Sequence, residues 1–298
     1  MRRLAVSVFF ALALCGVALA QVTKDSSDMV PNGKGRGEKQ PNGQAQRARP
    51  KRGNGINYHG GPLITSGPNV YYIWYGNWGG NTALTILTDF ASSEGGSGYF
   101  NINSTYYNGS NVHVANVVNY KTAADDNYSH GTTLSDSAVQ AVVSSAITSG
   151  KLPKDANGVY FVLTSSDVNE SSGFCTQYCG WHTHATIGGT DIKYSFVGNP
   201  DRCPSACEEQ TTSPNGNAGA DGMASIIAHE LEEATTDPDL NAWYDTRGEE
   251  NADKCAWTFG TEKTASNGSK YNVTLGSRNY LIQQNWVNAS GGYCAMSY

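Results

Sequence analysis

β-Branched and aromatic residues gather in short runs along the chain, at Asn69–Tyr75 and at residues 112–120 and 159–164, each bounded by Gly or Asn. Runs of this length and content predict strands. Residues 182–187 and 192–197 predict two more. Between these runs the apolar period lengthens to that of a helix. Over residues 82–92, Leu84, Leu87 and Phe90 share one face; over 135–149, Val139, Val142, Val143 and Ile147 do, and Gly150 stops the helix. A third helix is predicted over 221–236, with Asp221 as its cap, Met223, Ile226, Ile227 and Leu231 as its stripe, and Pro238 at its end. Strands alternating with helices predict an α/β fold, a mixed sheet flanked by helices. The last sixty or so residues, rich in Gly and aromatics, predict a disulfide-rich C-terminal part of loops and short strands.

The ends of the chain add a compartment to this picture. Residues 1–20 read as a secretory signal: Arg2-Arg3, an apolar stretch from Leu4 to Leu14, then the small-x-small site Ala18-Leu19-Ala20. That stretch is too short to span a bilayer, and no later segment predicts a membrane span. Residues 21–52 are poor in aromatic and β-branched residues and carry eight basic against three acidic side chains, ending in Lys51-Arg52. They read as a basic low-complexity linker, or as a pro-segment released after the dibasic pair. Residues 53–298 are then a single domain with 10 basic and 23 acidic side chains, a balance that argues against nucleic acid as a partner.

Cysteine usage agrees with export. Once the signal and its Cys15 are removed, Cys175, Cys179, Cys203, Cys207, Cys255 and Cys294 remain. An even set in an oxidising compartment reads as three disulfides whose pairing the sequence leaves open. A structural zinc held by the two Cys-x3-Cys pairs is the rival reading. Asn-x-Ser/Thr sequons at Asn103, Asn108, Asn127, Asn169, Asn267, Asn272 and Asn288 predict a glycoprotein.

The third predicted helix carries the candidate chemistry, His229-Glu230-Leu231-Glu232-Glu233. Positions i and i+4 share a helix face, so His229 and Glu233 can reach one ion, as the two histidines do on a zincin-like HExxH helix. A carboxylate is an acceptable zinc ligand, and Glu230 then stands where the general base of a metallopeptidase would be. A third ligand must come from Asp239, ten residues after His229, or from Asp245, Glu250 or Asp253 further on. His182 and His184 are a second candidate pair, since i and i+2 of a strand point to one side. The cofactor implied is Zn2+, although the oxygen-rich set Glu230, Glu232, Glu233, Asp237 and Asp239 also suits Ca2+. No G-x-S-x-G elbow or glycine-rich phosphate loop occurs in a strand-to-helix setting.

Several ordered motifs carry a family likeness: Tyr58-His59-Gly60-Gly61-Pro62, the run from Val70 to Trp78, and the stretch from Gly173 to His182. Val197-Gly198-Asn199, Cys203-Pro204 to Cys207, Asp221-Gly222-Met223 and Asn241-Ala242-Trp243-Tyr244 complete the set. In this order they resemble the phosphate-induced protein 1, or EXORDIUM-like, family. The resemblance implies a secreted protein of the apoplast or cell wall, tied in plants to growth, and implies no particular reaction. Three readings follow. The first is a metal-dependent hydrolase acting on an extracellular protein substrate. The second is a non-enzymatic binding or growth-signalling module, in which aromatics such as Tyr72 to Trp78 stack on cell-wall polysaccharide. The third is a domain in which the ion is only a staple.

Overall fold

Six strands join in one mixed sheet: β1 (Gly35–Glu38), β2 (Asn69–Tyr75), β3 (Asn119–Asp126), β4 (Gly158–Thr164), β5 (Tyr178–Ile187) and β6 (Thr190–Val197). Their order is β1-β5-β6-β4-β2-β3. The computed structural model describes Gly35–Glu38 and residues 55–298; the signal segment, the Lys51-Arg52 pair and the rest of the basic arm lie outside the described residues. Strands β3, β2, β4 and β6 run parallel, whereas β5 is antiparallel to both β6 and β1.

The connections set the layers. Strand β2 leads through helix α1 (Ala83–Glu94) to β3, and the chain then returns through α2 (Asp136–Thr148) to β4 on the other flank of β2. Right-handed crossovers in opposite directions place the two helices on opposite faces. A third helix, α3 (Ala218–Thr236), packs against α1, β5 and β6. The central strands β2 and β4 are therefore covered on both sides, which is why their sequences are almost continuously apolar and aromatic. Tyr72, Trp74, Tyr75 and Trp78 are all buried, so they offer no stacking surface to a polysaccharide.

Two expectations need correction. The strand expected over 112–120 begins only at Asn119; residues 112–118 form a loop whose Val112 and Val117 are exposed, tied by one bridge between Tyr107 and His113. The polar β3 forms because seven of its positions pair with the buried β2, and that ladder outweighs weak strand propensity. Helix α3 starts three residues earlier than expected, with the Asn217 side chain accepting from Ala220 N, so Asp221 is not its cap. Asp221 instead accepts hydrogen bonds from Ser213 and Asn215.

The six cysteines pair as Cys175–Cys203, Cys179–Cys207 and Cys255–Cys294, which removes the four-cysteine zinc reading. The first two bonds clamp the start of β5 to the loop that leads into α3. The third holds the C-terminal part, a set of two-stranded ribbons that includes Val273–Leu275 with Arg278–Tyr280 and Asn285–Val287 with Tyr293–Ala295. Of the sequons, Asn127 is exposed, whereas Asn103 is buried and the Asn272 amide donates to Phe259 O and Ile282 O, so neither of these two accepts a glycan in the folded domain.

Gly180 sets how closely α3 approaches the sheet. A Cβ placed there would lie 2.6 Å from Ile226 Cγ2, 2.9 Å from Phe196 O and 3.2 Å from Glu230 Oε1. Gly180→Ala should therefore destabilise the domain by about 1–3 kcal/mol, read as a lower urea midpoint. An unchanged midpoint would mean that the helix is free to shift off the strand.

Candidate metal centre

Helix α3 is interior along its whole length: every residue from Gly219 to Thr236 is buried. Its apolar stripe alone does not explain this, because Glu230, Glu232 and Glu233 are buried with it, on more than one face. Sheet, α1 and the C-terminal ribbons surround it, so the acidic side chains of an amphipathic helix end in the core. Asp237 closes the helix: its Oδ1 accepts from Asn241 N at 2.6 Å and Ala242 N at 2.5 Å, which turns the chain back sharply after Pro238.

Around the second half of α3, residues distant in sequence converge. His229 Nε2 stands 3.0 Å from Glu233 Oε1 and 3.5 Å from Asp253 Oδ1, and Asp253 N donates to Glu233 Oε1 at 3.1 Å. On the other side, His182 Nε2 of β5 lies 3.6 Å from Glu233 Oε2 and 3.2 Å from both oxygens of Glu250. Donor atoms of His229, Glu233 and Asp253 fall within 4.8 Å of one another, and so do those of His182, Glu230 and Glu233. Glu233 belongs to both groups. Ligands held about 2.0–2.1 Å from a tetrahedral ion stand roughly 3.4 Å apart, close to the spacings seen here. The pair His229–Glu233 is short but not aligned as a hydrogen bond, and Glu233 Oε2 and Asp253 Oδ1 accept none. Buried polar atoms turned toward a common point, with no aligned hydrogen bond among these side chains, make this a candidate cation site.

The electrostatics are correspondingly strained. Burial pushes the Asp253 carboxyl up to about 7, with the charge of Glu233 adding to it. Burial raises Asp237 to about 7 as well, and raises Glu250 well above the carboxylate range. Burial lowers His182 to about 4, so its imidazole is neutral at physiological pH. Burial works on His229 in the same direction, but Glu233, Asp253 and Glu230 outweigh it and hold the ring protonated well above its usual range. Carboxylates that cling to protons and a histidine that replaces a cation are two expressions of one excess of buried negative charge.

The remaining sequence candidates lie elsewhere. His184, two residues beyond His182, is partly exposed and sits with Asp191 and Asp239 in a separate group. That group already contains a cation, since Lys193 Nζ contacts Asp191 Oδ2 at 2.5 Å and Asp239 Oδ1 at 3.2 Å. Asp239 is therefore not brought to His229, and the two histidines of His182-Thr183-His184 face different acids. Asp245 accepts from Arg247 N and Glu249 N and lies 3.5 Å from Lys254 Nζ. The pairing of His182 with Glu250, 68 residues apart, has no signal in the spacing along the chain.

The profile of the phosphate-induced protein 1 conserved region matches residues 56–296, which takes in every residue of this centre. EXORDIUM-like 3 of Arabidopsis thaliana is 33% identical over 279 residues, covering 80% of this chain and 82% of that protein. EXORDIUM-like 5 of the same plant is 33% identical over 274 residues, covering 78% and 75%. PHOSPHATE-INDUCED 1 of Nicotiana tabacum is 27% identical over 231 residues, covering 66% and 69%. No solved structure matches the chain significantly. With a profile that spans the whole described domain after β1, and relatives at one third identity over most of their length, the chain belongs to the phosphate-induced protein 1 family.

Proposed function

We propose that this is a secreted metal-dependent hydrolase of the peptidase type, with zinc held by His229, Glu233 and Asp253 and with Glu230 as general base. The observation that carries the reading is the arrival of Asp253, twenty residues along the chain from Glu233, at the helix face shared by His229 and Glu233. Two imidazoles nearby favour zinc over calcium, which takes oxygen ligands almost exclusively. The ion would supply Lewis acidity and bring the pKa of water toward neutrality. Glu230 follows His229 on the helix, and its Oε1 lies beside Gly180 of β5, so it faces the sheet edge where an incoming chain would pass. There it can take the proton from attacking water and return it to the leaving amine. His182, neutral by burial, sits with Nε2 3.2 Å from both oxygens of Glu250, and that pairing holds the carboxyl group on the β5 side of the centre. Export is supported by the N-terminal signal pattern and the three disulfides, and among the described residues no helix is long and apolar enough to cross a membrane.

One observation favours a second reading, an ion that only staples the core: His229, Glu230 and Glu233 are all fully buried. Activity decides between them. Elemental analysis should find about one zinc per chain in the wild type and in Glu230→Gln, and none in His229→Ala. Glu230→Gln should lose peptide hydrolysis by about 100-fold or more; a variant as active as the wild type would remove the base, and zinc without hydrolysis in either would leave the staple.

The ion reading also sets a pH dependence. In chelator-treated protein, Asp237 and Asp253 hold protons up to about 7 in the folded state and to about 4 in the unfolded one. The folded chain thus binds more protons across that window, and stability falls as pH rises through it. His229, raised, adds to the fall above its unfolded value; His182, lowered, opposes it only modestly. The urea midpoint should be higher at pH 6 than at pH 8 without zinc, and the difference should shrink when zinc is restored. A midpoint that rises with pH in the chelated protein would contradict the buried charge described here.

A further inference from the structure

The strand β1 comes from the basic arm, outside the family match, yet it lies on the domain at one particular place. It pairs antiparallel with β5 in the register Gly35 with His182, Arg36 with Trp181, Gly37 with Gly180 and Glu38 with Tyr178. It also packs against α3 and against the turn Asp253–Cys255. These three elements supply His182, then His229, Glu230 and Glu233, then Asp253. Gly35–Glu38 therefore lies along the candidate centre.

We propose that β1 is a self-bound stand-in for substrate. The uncovered edge of β5 takes an extended, glycine-containing basic peptide in the register that Gly35–Glu38 now occupies, and the arm blocks that edge until the chain is cut after Lys51-Arg52. This rests on the hydrolase reading of the same centre.

The geometry carries the substrate class. Residues directly opposite each other in an antiparallel pair project to the same side of the sheet. His182 and Gly180 project toward α3, as the contact of His182 with Glu233 and the closeness of Gly180 to Ile226 and Glu230 require. Their partners are Gly35 and Gly37, so the peptide brings only backbone to the side where the acids lie. A larger residue at either position is expected to be refused, since by this register its side chain would be directed toward α3, which Gly180 brings close to β5. Net charge points the same way: Lys34, Arg36 and Lys39 outnumber Glu38 in this segment, while residues 53–298 carry 13 more acids than bases. An edge strand left bare also presents unpaired N–H and C=O groups, which favour adding an extended chain over any other ligand shape. While tethered, the arm competes at an effective concentration on the order of millimolar, so a free peptide is excluded.

The test uses the full chain, its Arg36→Pro/Gly37→Pro variant, in which the arm cannot hold the ladder, and a fluorescent peptide of residues 32–40. The wild type should not take up the peptide. The variant should bind it at least tenfold more tightly, and a peptide with valine at both glycine positions should lose that gain. Equal binding by the two proteins, or indifference to the valines, overturns the proposal. Should the variant fold poorly, hydrogen exchange on the wild type decides instead: amides of residues 178–182 should exchange at least tenfold faster once the chain is cut after Arg52 and the arm removed. Unchanged protection overturns it. Zinc content is measured on the same samples. Peptide uptake without zinc would keep the edge as a binding site and overturn the ion; zinc without uptake would do the reverse.

Discussion

The rest of the structure depends on the burial of acidic residues along helix α3. A helix that places Glu230, Glu232 and Glu233 in the core exposes the fold to a desolvation cost of several kcal/mol for each charge left uncompensated. Three remedies are visible. Some carboxylates stay protonated, as Asp237 and Asp253 do up to about 7. Some are met by donors, such as the Asn285 amide at Glu232 and the backbone at Asp237. The remainder gather around His182 and His229, where two imidazoles face Glu230, Glu233, Glu250 and Asp253. A hydrophobic helix of the same length would pack at least as well, so stability does not account for this arrangement. Acids kept in a core at such cost are the physical ground for placing the candidate site here.

The surrounding architecture serves to hold that helix in register. Gly180 lets it come close to β5, and the disulfides Cys175–Cys203 and Cys179–Cys207 fix the strand to the loop that enters the helix. The Cys255–Cys294 bond sits two residues after Asp253 and anchors the turn that delivers it. The strand and the turn that contribute to the centre are thus each tied by a covalent bond near the contributing residue, and the helix between them is held by burial along its length. Side chains on a bonded strand, an interior helix and a bonded turn lose little further freedom on meeting an ion, which is the condition for a tight and geometrically selective site.

Much of this is legible in the amino-acid pattern alone. The strand at Asn69–Tyr75 and the three helices follow from period and breakers, because buried elements must keep their apolar residues in step. His229 and Glu233 follow from the helical repeat. Asp253 is one of four downstream donors with nothing in the sequence to rank it, and it stands out only once the turn Asp253–Cys255 is seen against α3. Asp239, at the offset that a zinc-protease helix suggests, is drawn off by Lys193, a residue 46 positions earlier that no local pattern connects to it. Strand β3 escapes the pattern because a polar run paired to a central strand has no hydrophobic signature. What sequence hides here is long-range pairing, where the partner rather than the segment supplies the energy.

The family match sharpens what the arm means. It begins at residue 56, so five of the six sheet strands lie within it and β1 alone lies before it. A sheet whose β5 edge is completed by a segment from outside the shared domain has an edge that the domain itself does not close. Edges of this kind are normally blunted by charge, proline or a bulge, because a bare ladder recruits other chains. Here Tyr178 to His182 are all buried, none is charged apart from a histidine that burial keeps neutral, and none is proline. The one irregularity in the ladder falls at the start of β5, where Cys179 is the extra residue opposite the step from Gly37 to Glu38, and the edge beyond it to His182 is regular. Such an edge is shaped to be covered. That it is covered by a glycine-bearing basic segment, beside the most acidic part of the core, makes recognition of a second extended chain the simplest account of why the edge was left open.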